Sequence, residues 1–235
     1  MPPRRRVGAA LRRALGEPPS LEARPRPSGR SVLLNRRRLE VFWEIARRPG
    51  IHARELSRAT SVPLQSLLWH LRPLRDAGLI ASRRMGKFTI LSVTGTAAES
   101  QLPALASLDI VRHAAIARTV LQTPRSRREL SRLLKTYPQA LDGALRGMRS
   151  LGLLERDTRG LWFPGPKLFE VLDAASSGRQ SRLDRILELL ARDGLDPAVL
   201  RKEDPWWFVE VHGPRRRIEL KIGVLPDQVR VLTKW

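Results

Sequence analysis

The chain has 235 residues, of which 44 are Lys or Arg and 23 are Asp or Glu, so its formal net charge is +21. So positive a chain attracts polyanions, and we expect nucleic acid rather than an anionic membrane surface as its partner. The absence of cysteine excludes disulfides, zinc fingers and thiolate metal sensing, and no apolar run approaches the ~18 residues of a membrane span.

The sequence also contains no recognisable catalytic motif. The four histidines are scattered without ligand spacing, so neither a metal site nor a cofactor is predicted. No nucleophile–base pair or phosphate loop appears, and we expect no catalytic activity. The N-terminus lacks the apolar core of a signal peptide, which predicts a soluble cytoplasmic, nucleoid-associated protein.

Residues 1–30 form an Arg/Pro-rich segment with eight arginines, two glutamates and the runs PPRRR, EPP and RPRPSGR. Proline and net charge predict a disordered tail. Within it, VGAALRRAL suits a short helix formed on contact with DNA. A mitochondrial transit peptide is the competing interpretation, although serine is scarce here and proline abundant.

Apolar spacing marks the first helices of a domain at 31–98. Residues 35–48 (NRRRLEVFWEIARR) place their apolar side chains on one helical face, with Asn35 as the N-cap. The Pro-Gly pair that follows ends this helix. Residues 51–60 (IHARELSRAT) predict a second helix whose inward residues are Ile51, Leu56 and Ala59.

A third helix and a hairpin complete this domain. Pro63 suits the first turn of a helix that runs to Ala77 and ends at Gly78. Pro73 inside that helix removes a backbone donor and predicts a kink. The segments LIASRR and KFTILSV alternate apolar and polar residues around Gly86, which is typical of a hairpin wing.

A second domain at 104–166 repeats the first. Residues 54–86 align without a gap to residues 128–160, 74 positions later, with thirteen identities. A repeat of this length indicates a duplicated small domain. Its predicted elements are helices at 109–121, 126–134 and 138–151, and a shorter wing in LLERDTRGLWF.

Residues 167–235 show another pattern and predict a small α+β domain of unknown role. Helices are expected at 168–175 and 182–191, then the strands WWFVEVHG and RRRIELKIG, and QVRVLT as a third strand. The whole chain is predicted to be mainly α with small β wings. This is an α+β protein with two tandem winged helix-turn-helix domains and the C-terminal domain.

The segment LLWHLRPLRDAGLIASRR (residues 67–84) resembles the recognition helix and wing of ArsR-like winged helix-turn-helix regulators, especially the archaeal type. The second copy resembles them more weakly and has Ala144 in place of the histidine. The resemblance implies that the third helix enters the major groove, that the wing touches the backbone or minor groove, and that dimers form. The family pattern xxHLxxLxxAGLI is carried by His70, Leu71, Leu74, Ala77, Gly78, Leu79 and Ile80.

The face of the third helix opposite its apolar stripe carries the candidate base contacts. Arg72 suits guanine and Gln65 suits adenine, because each makes a bidentate pair with the major-groove edge. A merely solvated surface is the alternative for both. Trp69 either stacks on sugar–phosphate or packs under the wing, and His70 is expected to pack beside the core. With the wing cations as phosphate contacts, the predicted DNA-binding residues are Gln65, Ser66, Leu68, Trp69, Arg72, Arg75, Arg83, Arg84 and Lys87.

The second copy is less suited to DNA binding at the positions that correspond to these residues. Two carboxylates, Asp142 and Asp157, stand where the first copy has Leu68 and Arg83. A carboxylate that faces a phosphate weakens DNA binding. An auxiliary DNA contact and a pairing surface therefore both remain open for this domain, and the predicted auxiliary DNA-binding residues are Gln139, Arg146, Arg149 and Arg159.

Taken together, these features predict a sequence-specific regulator of transcription that binds double-stranded DNA through the third helix and wing of its first domain. A nonspecific architectural or chromatin protein is one alternative, which the apolar Leu64 and Leu68 on the reading helix favour. A tandem winged-helix scaffold for protein interactions is another. A homodimer and a protein of the transcription machinery remain open as further partners.

Overall fold

The computed structural model describes residues 31–86, 88–213 and 216–233 and shows helices between short antiparallel strands. The first half of the chain forms, in order, α1 (Arg36–Arg47), β1 (Ile51–His52), α2 (Ala53–Thr60), α3 (Leu64–Asp76), β2 (Ile80–Met85), β3 (Phe88–Val93), α4 (Leu102–Leu108) and α5 (Val111–Gln122). The rest forms β4 (Arg125–Ser126), α6 (Arg127–Leu133), α7 (Pro138–Ser150), β5 (Leu154–Arg156), β6 (Leu161–Pro164), α8 (Pro166–Ser177), α9 (Arg179–Arg192), β7 (Asp196–Glu203), β8 (Trp206–Gly213), β9 (Arg216–Gly223) and α10 (Asp227–Thr233). The predicted α+β class is confirmed.

The chain divides into two compact units, and each is built from two separate stretches of sequence. Among the described residues, the first unit combines those from Ser31 to Ala97 with Ser181–Val224. The second combines Ala98–Gln180 with those from Leu225 to Thr233. On sequence grounds residues 167–235 are one domain; in the structure they contribute to both units.

In the first unit, α1, α2 and α3 form a three-helix group beside the sheet β1-β3-β2. Asn35 caps α1 as predicted, because its side chain accepts a 3.1 Å hydrogen bond from the Arg38 N–H. The prediction for residues 51–60 is partly wrong: Ile51 and His52 pair with Leu91 and Ile90 of β3, and the helix starts only at Ala53. Ala59, expected inside, is exposed.

Helix α9 and the sheet β7-β8-β9 belong to the first unit because they complete its core. One face of α9 and one face of the sheet lie in the same buried apolar cluster as the helices of the three-helix group. The apolar alternation of β8 and β9 supplies that face, as the sequence predicted. The cluster includes Phe42, Ile45, Leu56, Leu67, Leu71, Leu74, Leu183, Ile186, Leu189, Val209, Val211 and Ile222.

A buried arginine fastens α9 into this core. Arg182 is 6% exposed and donates to three backbone carbonyls: Ala46 of α1 at 2.6 Å, Gly223 at 2.9 Å and Val224 at 3.4 Å. Burying a charged group costs free energy unless hydrogen bonds compensate it. Here the compensation links the end of α1 to the end of β9.

The second unit repeats the element order of the first three helices and their hairpin. Helices α5, α6 and α7 lie with the sheet β4-β6-β5, whose strand order matches that of β1-β3-β2. Ser126 caps α6: its hydroxyl accepts the Glu129 N–H at 3.3 Å, and the Glu129 carboxylate accepts the Ser126 N–H at 2.7 Å. This capping box fixes the start of α6 at the predicted place.

The last helix corrects the prediction of a strand at QVRVLT. Residues Asp227–Thr233 form α10, which packs with α4, α5 and α8. Val229 and Leu232 are buried at 0% and 2% exposure, a spacing of three that a helix places on one side and a strand on opposite sides. Tertiary packing therefore overrides the β-propensity of the Val-rich segment.

None of the helices that the structure describes is both long and apolar enough to cross a membrane. Nor does this part of the chain bring together three His, Asp or Glu side chains that could hold a metal ion.

Candidate nucleic-acid interface

A tight turn sets α3 against α2 in the first unit. Ser61 has a positive φ of 53°, so the chain reverses within the residues that separate the two helices. The Ser57 hydroxyl donates to the Val62 carbonyl at 2.6 Å and closes the turn from inside. The helix-turn-helix geometry is thus fixed by a short local bond together with the buried Val62.

Helix α3 has one buried face and one exposed face. Leu67, Leu71 and Leu74 are at most 1% exposed and form the stripe that the sequence predicted. On the opposite side Trp69 is 75% exposed, so it does not pack under the hairpin. Gln65, Ser66 and Arg72 are exposed with it, and Arg75 is half-buried. The helix runs through Pro73 without interruption, and the Ala77 N–H donates to the Pro73 carbonyl at 3.0 Å.

Arg72 is held only loosely by its own helix. Its Nε lies 3.7 Å from an Asp76 carboxylate oxygen, and the two side chains are 71% and 59% exposed. Exposed pairs of this length contribute little stability, so the guanidinium group is available to another acceptor at small cost.

Two other residues of α3 face the protein more than the solvent. Leu68 is half-buried and packs against the core together with Leu64. His70 is also half-buried, and burial followed by the charges of Arg38 and Arg37 lowers its pKa below 6.5. These surroundings favour the neutral form of the His70 imidazole.

The hairpin β2–β3 carries a second set of exposed cations. Arg83 pairs across the hairpin with Ile90, and Arg84 pairs with Thr89; both arginines are exposed. The Arg84 Nε donates to the Gly86 carbonyl at 3.1 Å, which directs this side chain toward the hairpin tip. Lys87 and residues 1–30, also predicted to contact DNA, lie outside the described residues.

Helix α9 supports the junction between α3 and β2. The Arg192 Nη2 donates to the carbonyls of Ala77 at 3.2 Å and Gly78 at 3.1 Å, where the helix ends. The next residue, Asp193, accepts the backbone N–H groups of Val32 at 3.1 Å and Leu33 at 2.8 Å. Sequence reasoning missed this support, because a helical periodicity does not show which neighbour covers the helix.

The second copy presents its charges differently. The carboxylate of Asp142 on α7 accepts from Arg127 Nη1 on α6 at 2.9 and 3.1 Å, so it is neutralised locally. Asp157 is a turn residue whose side chain accepts the Leu161 N–H at 2.7 Å. Each carboxylate therefore has a hydrogen-bond partner within the protein, whereas the sequence alone shows only two negatively charged residues. The predicted residues Gln139, Arg146, Arg149 and Arg159 are all exposed.

Comparison with known proteins finds similarity over part of the chain. The chain is 30% identical over 129 residues to an uncharacterized HTH-type transcriptional regulator of Methanocaldococcus jannaschii; this covers 55% of the chain and 32% of the relative. The chain thus spans about a third of that relative's length. No solved structure matches the chain. Residues 33–83, the segment from the start of α1 to β2 that contains the exposed face of α3, match the helix-turn-helix domain family.

Proposed function

We propose that this protein, with two tandem winged helix-turn-helix domains of the ArsR-like type, is a sequence-specific regulator of transcription that binds double-stranded DNA through α3 and the β2–β3 wing of its first domain. The observation that carries the proposal is the division of α3: three leucines hold one face in the core, while Trp69 and Arg72 stand out on the other. The match of residues 33–83 to a helix-turn-helix family supports DNA binding, and the relative's description supports regulation of transcription.

The first domain divides base reading from phosphate binding. Arg72 pairs with guanine and Gln65 with adenine in the major groove, with Ser66 and Trp69 beside them. Arg83 and Arg84 of the hairpin, with Lys87, contact phosphates and set the register of the helix on the duplex. The Arg/Pro-rich residues 1–30 add phosphate contacts without sequence preference.

An architectural protein without sequence preference is the main alternative. Its support in the sequence was the apolar pair Leu64 and Leu68 on the reading helix. Both side chains pack against the core, so the surface left for DNA is the polar and aromatic one. This surface favours sequence-specific DNA binding by α3 over nonspecific binding.

Selection from a random duplex pool by the full chain tests the proposal. An enriched motif is expected, and an inverted repeat within it would show that a dimer binds. Recovery of the pool without enrichment would favour the architectural protein. Loss of duplex binding altogether, with the chain folded, would favour the protein-interaction scaffold.

A further inference from the structure

A basic cleft lies in the second unit between helices α6 and α7 and the β5–β6 hairpin. Its volume is about 520 Å³, within the range of small-molecule and backbone-binding clefts. Apolar Leu145 and Trp162 line its inner wall, and charged groups line the rest. The lining consists of Arg127, Asp142, Leu145, Arg146, Arg149, Arg156 and Trp162.

Three of the arginines are oriented by contacts at the cleft wall. Arg127 is paired with the Asp142 carboxylate at 2.9 Å. The Arg146 Nε donates to the Asp142 carbonyl at 3.3 Å. The Arg156 guanidinium carbon lies 5.7 Å from the centre of the Trp162 ring, as in a cation–π pair. Side chains held in this way lose less conformational entropy when a ligand arrives.

The charge of the cleft is unbalanced. Four guanidinium groups share the lining with one carboxylate, and Arg127 already takes that carboxylate. Like charges gathered around one concavity repel each other and weaken the fold unless an anion joins them. Guanidinium groups bind pairs of phosphate oxygens in bidentate fashion. A phosphate group offers more acceptor oxygens than a carboxylate, so it can bind several guanidinium groups at once.

The cleft belongs to the second copy and is not inherited from the repeat. Arg146 and Arg149 correspond to Arg72 and Arg75 of the first copy, 74 positions earlier. The remaining charged members have uncharged counterparts in that copy, because Arg127, Asp142 and Arg156 stand where it has Ala53, Leu68 and Ser82. The second copy has thus kept Arg146 and Arg149 at these positions and added further charged groups around them.

We propose that this cleft is a phosphate-binding site, in which Arg146, Arg149 and Arg156 bind the oxygens of one phosphate group and Arg127 positions Asp142 at the rim. The phosphate comes either from the backbone of a duplex or from a free phosphate ester. The first source rests on the proposed DNA-binding function; the second makes the cleft an effector site.

The test uses the full chain and two double variants that remove the same charge. R146A/R149A removes two arginines from the cleft. R118A/R132A removes two exposed arginines of the same unit that do not line it. Pyrophosphate binding is measured by calorimetry, and binding to a duplex of scrambled sequence is measured over a series of salt concentrations. Arg156→Gln, on a strand rather than a helix, provides an independent cleft variant, and thermal unfolding checks that each variant is folded.

If a free ester is the source, R146A/R149A weakens pyrophosphate binding by about tenfold or more, as expected for losing charge-assisted bonds, and R118A/R132A changes it less than about twofold. If the DNA backbone is the source, R146A/R149A flattens the salt slope by about two units, and the control leaves it unchanged. Either result supports the site. Equal effects of both variants in both assays would overturn it. DNA binding by the first domain is tested separately, by the enriched motif and its dependence on Arg72. Failure of the cleft proposal can therefore be distinguished from failure of the proposed DNA-binding function.

Discussion

Ser61 and Lys135 lie 74 positions apart and adopt the same left-handed backbone conformation, with φ of 53° and 49°. Each follows the second helix of its group, and four residues before each a serine hydroxyl closes the turn: Ser57 onto the Val62 carbonyl and Ser131 onto the Thr136 carbonyl. The two copies therefore share the geometry of the turn even where its residues differ. Because left-handed backbone is costly for residues other than glycine, the surrounding contacts must hold both turns in place.

This strain predicts different effects of two substitutions at Ser61. Ser61→Val should lower the free energy of unfolding by about 1–2 kcal/mol, because a β-branched side chain opposes positive φ. Ser61→Gly should not lower it, because glycine adopts this conformation readily. Urea unfolding of the full chain measures both. Equal losses for valine and glycine would show that the Ser61 side chain, not its backbone, matters.

Arg72→Ala should weaken binding to the enriched site by about 1–3 kcal/mol and relax the preference at one base position. Its side chain is 71% exposed on the outer face of α3, so the fold should be unaffected. Arg36→Ala, which removes an 82% exposed arginine from α1, is the control of equal charge. If Arg72→Ala weakens enriched and scrambled duplexes equally, Arg72 contacts a phosphate rather than a base.

Arg182→Met should destabilise the first unit by about 3 kcal/mol or more, because it leaves buried carbonyls without their donor. Methionine keeps most of the side-chain length, so the loss reports hydrogen bonds more than volume. Arg201→Met, at a 57% exposed position on β7, should change the unfolding free energy by less than about 1 kcal/mol. Chemical denaturation of both variants checks this, and similar values for the two would contradict the role of Arg182.

The second unit should lose stability in mild acid because of His113. Its Nδ1 lies 2.9 Å from the Ser107 hydroxyl. The pKa of His113 is lowered from 6.5, chiefly by burial and further by the charge of Arg112, while a hydrogen bond with the Ser107 backbone raises it. The unfolded chain therefore takes up the proton first. The contribution of His113 to the free energy of unfolding is complete above pH 6.5. It declines as the pH falls from 6.5 toward the lowered pKa of His113 in the folded state.

His113→Gln should reduce this decline, as measured by urea unfolding at about pH 7.5 and about pH 5.5. A residual decline is expected from His70, whose pKa is lowered in the first unit. An unchanged pH dependence in the variant would mean that His113 titrates alike in the folded and unfolded chains.

Deleting residues 1–30 should flatten the slope of log K against log salt by several units, because each neutralised phosphate contributes about −0.9. The segment holds eight arginines and two glutamates. Affinity should fall alike on enriched and scrambled duplexes, with the enriched motif unchanged. A tail that only aids solubility would leave the slope as it was, and one that reads the minor groove would alter the motif at its flanks.

Local signals made the reading helix predictable. Pro63 before α3 and Gly78 after it bracket the helix to within a residue, and the leucines between them define its buried face. Asn35 was likewise visible as a cap, since a cap depends on a residue three positions away.

Contacts between distant residues were not predictable in the same way. Ile51 pairs with Leu91, forty positions later, and this pairing moves it from a helix to a strand. The neutralisation of Asp142 by Arg127 joins two helices, so sequence alone presents the aspartate as an unpaired charge. The position of α9 depends on which apolar surface it covers. Its apolar periodicity predicts a helix with one buried face but does not identify the elements that this face packs against.

The division of each unit between two stretches of sequence has a consequence for synthesis on the ribosome. A nascent chain that has reached residue 180 lacks Leu183, Ile186 and the sheet that cover Phe42 and Ile45, and the second unit still lacks α10. Each unit therefore completes its core only after its second stretch has emerged, with apolar surface exposed until then. A chain cut short before Ser181 would leave α3 without the contacts that Arg192 makes with Ala77 and Gly78.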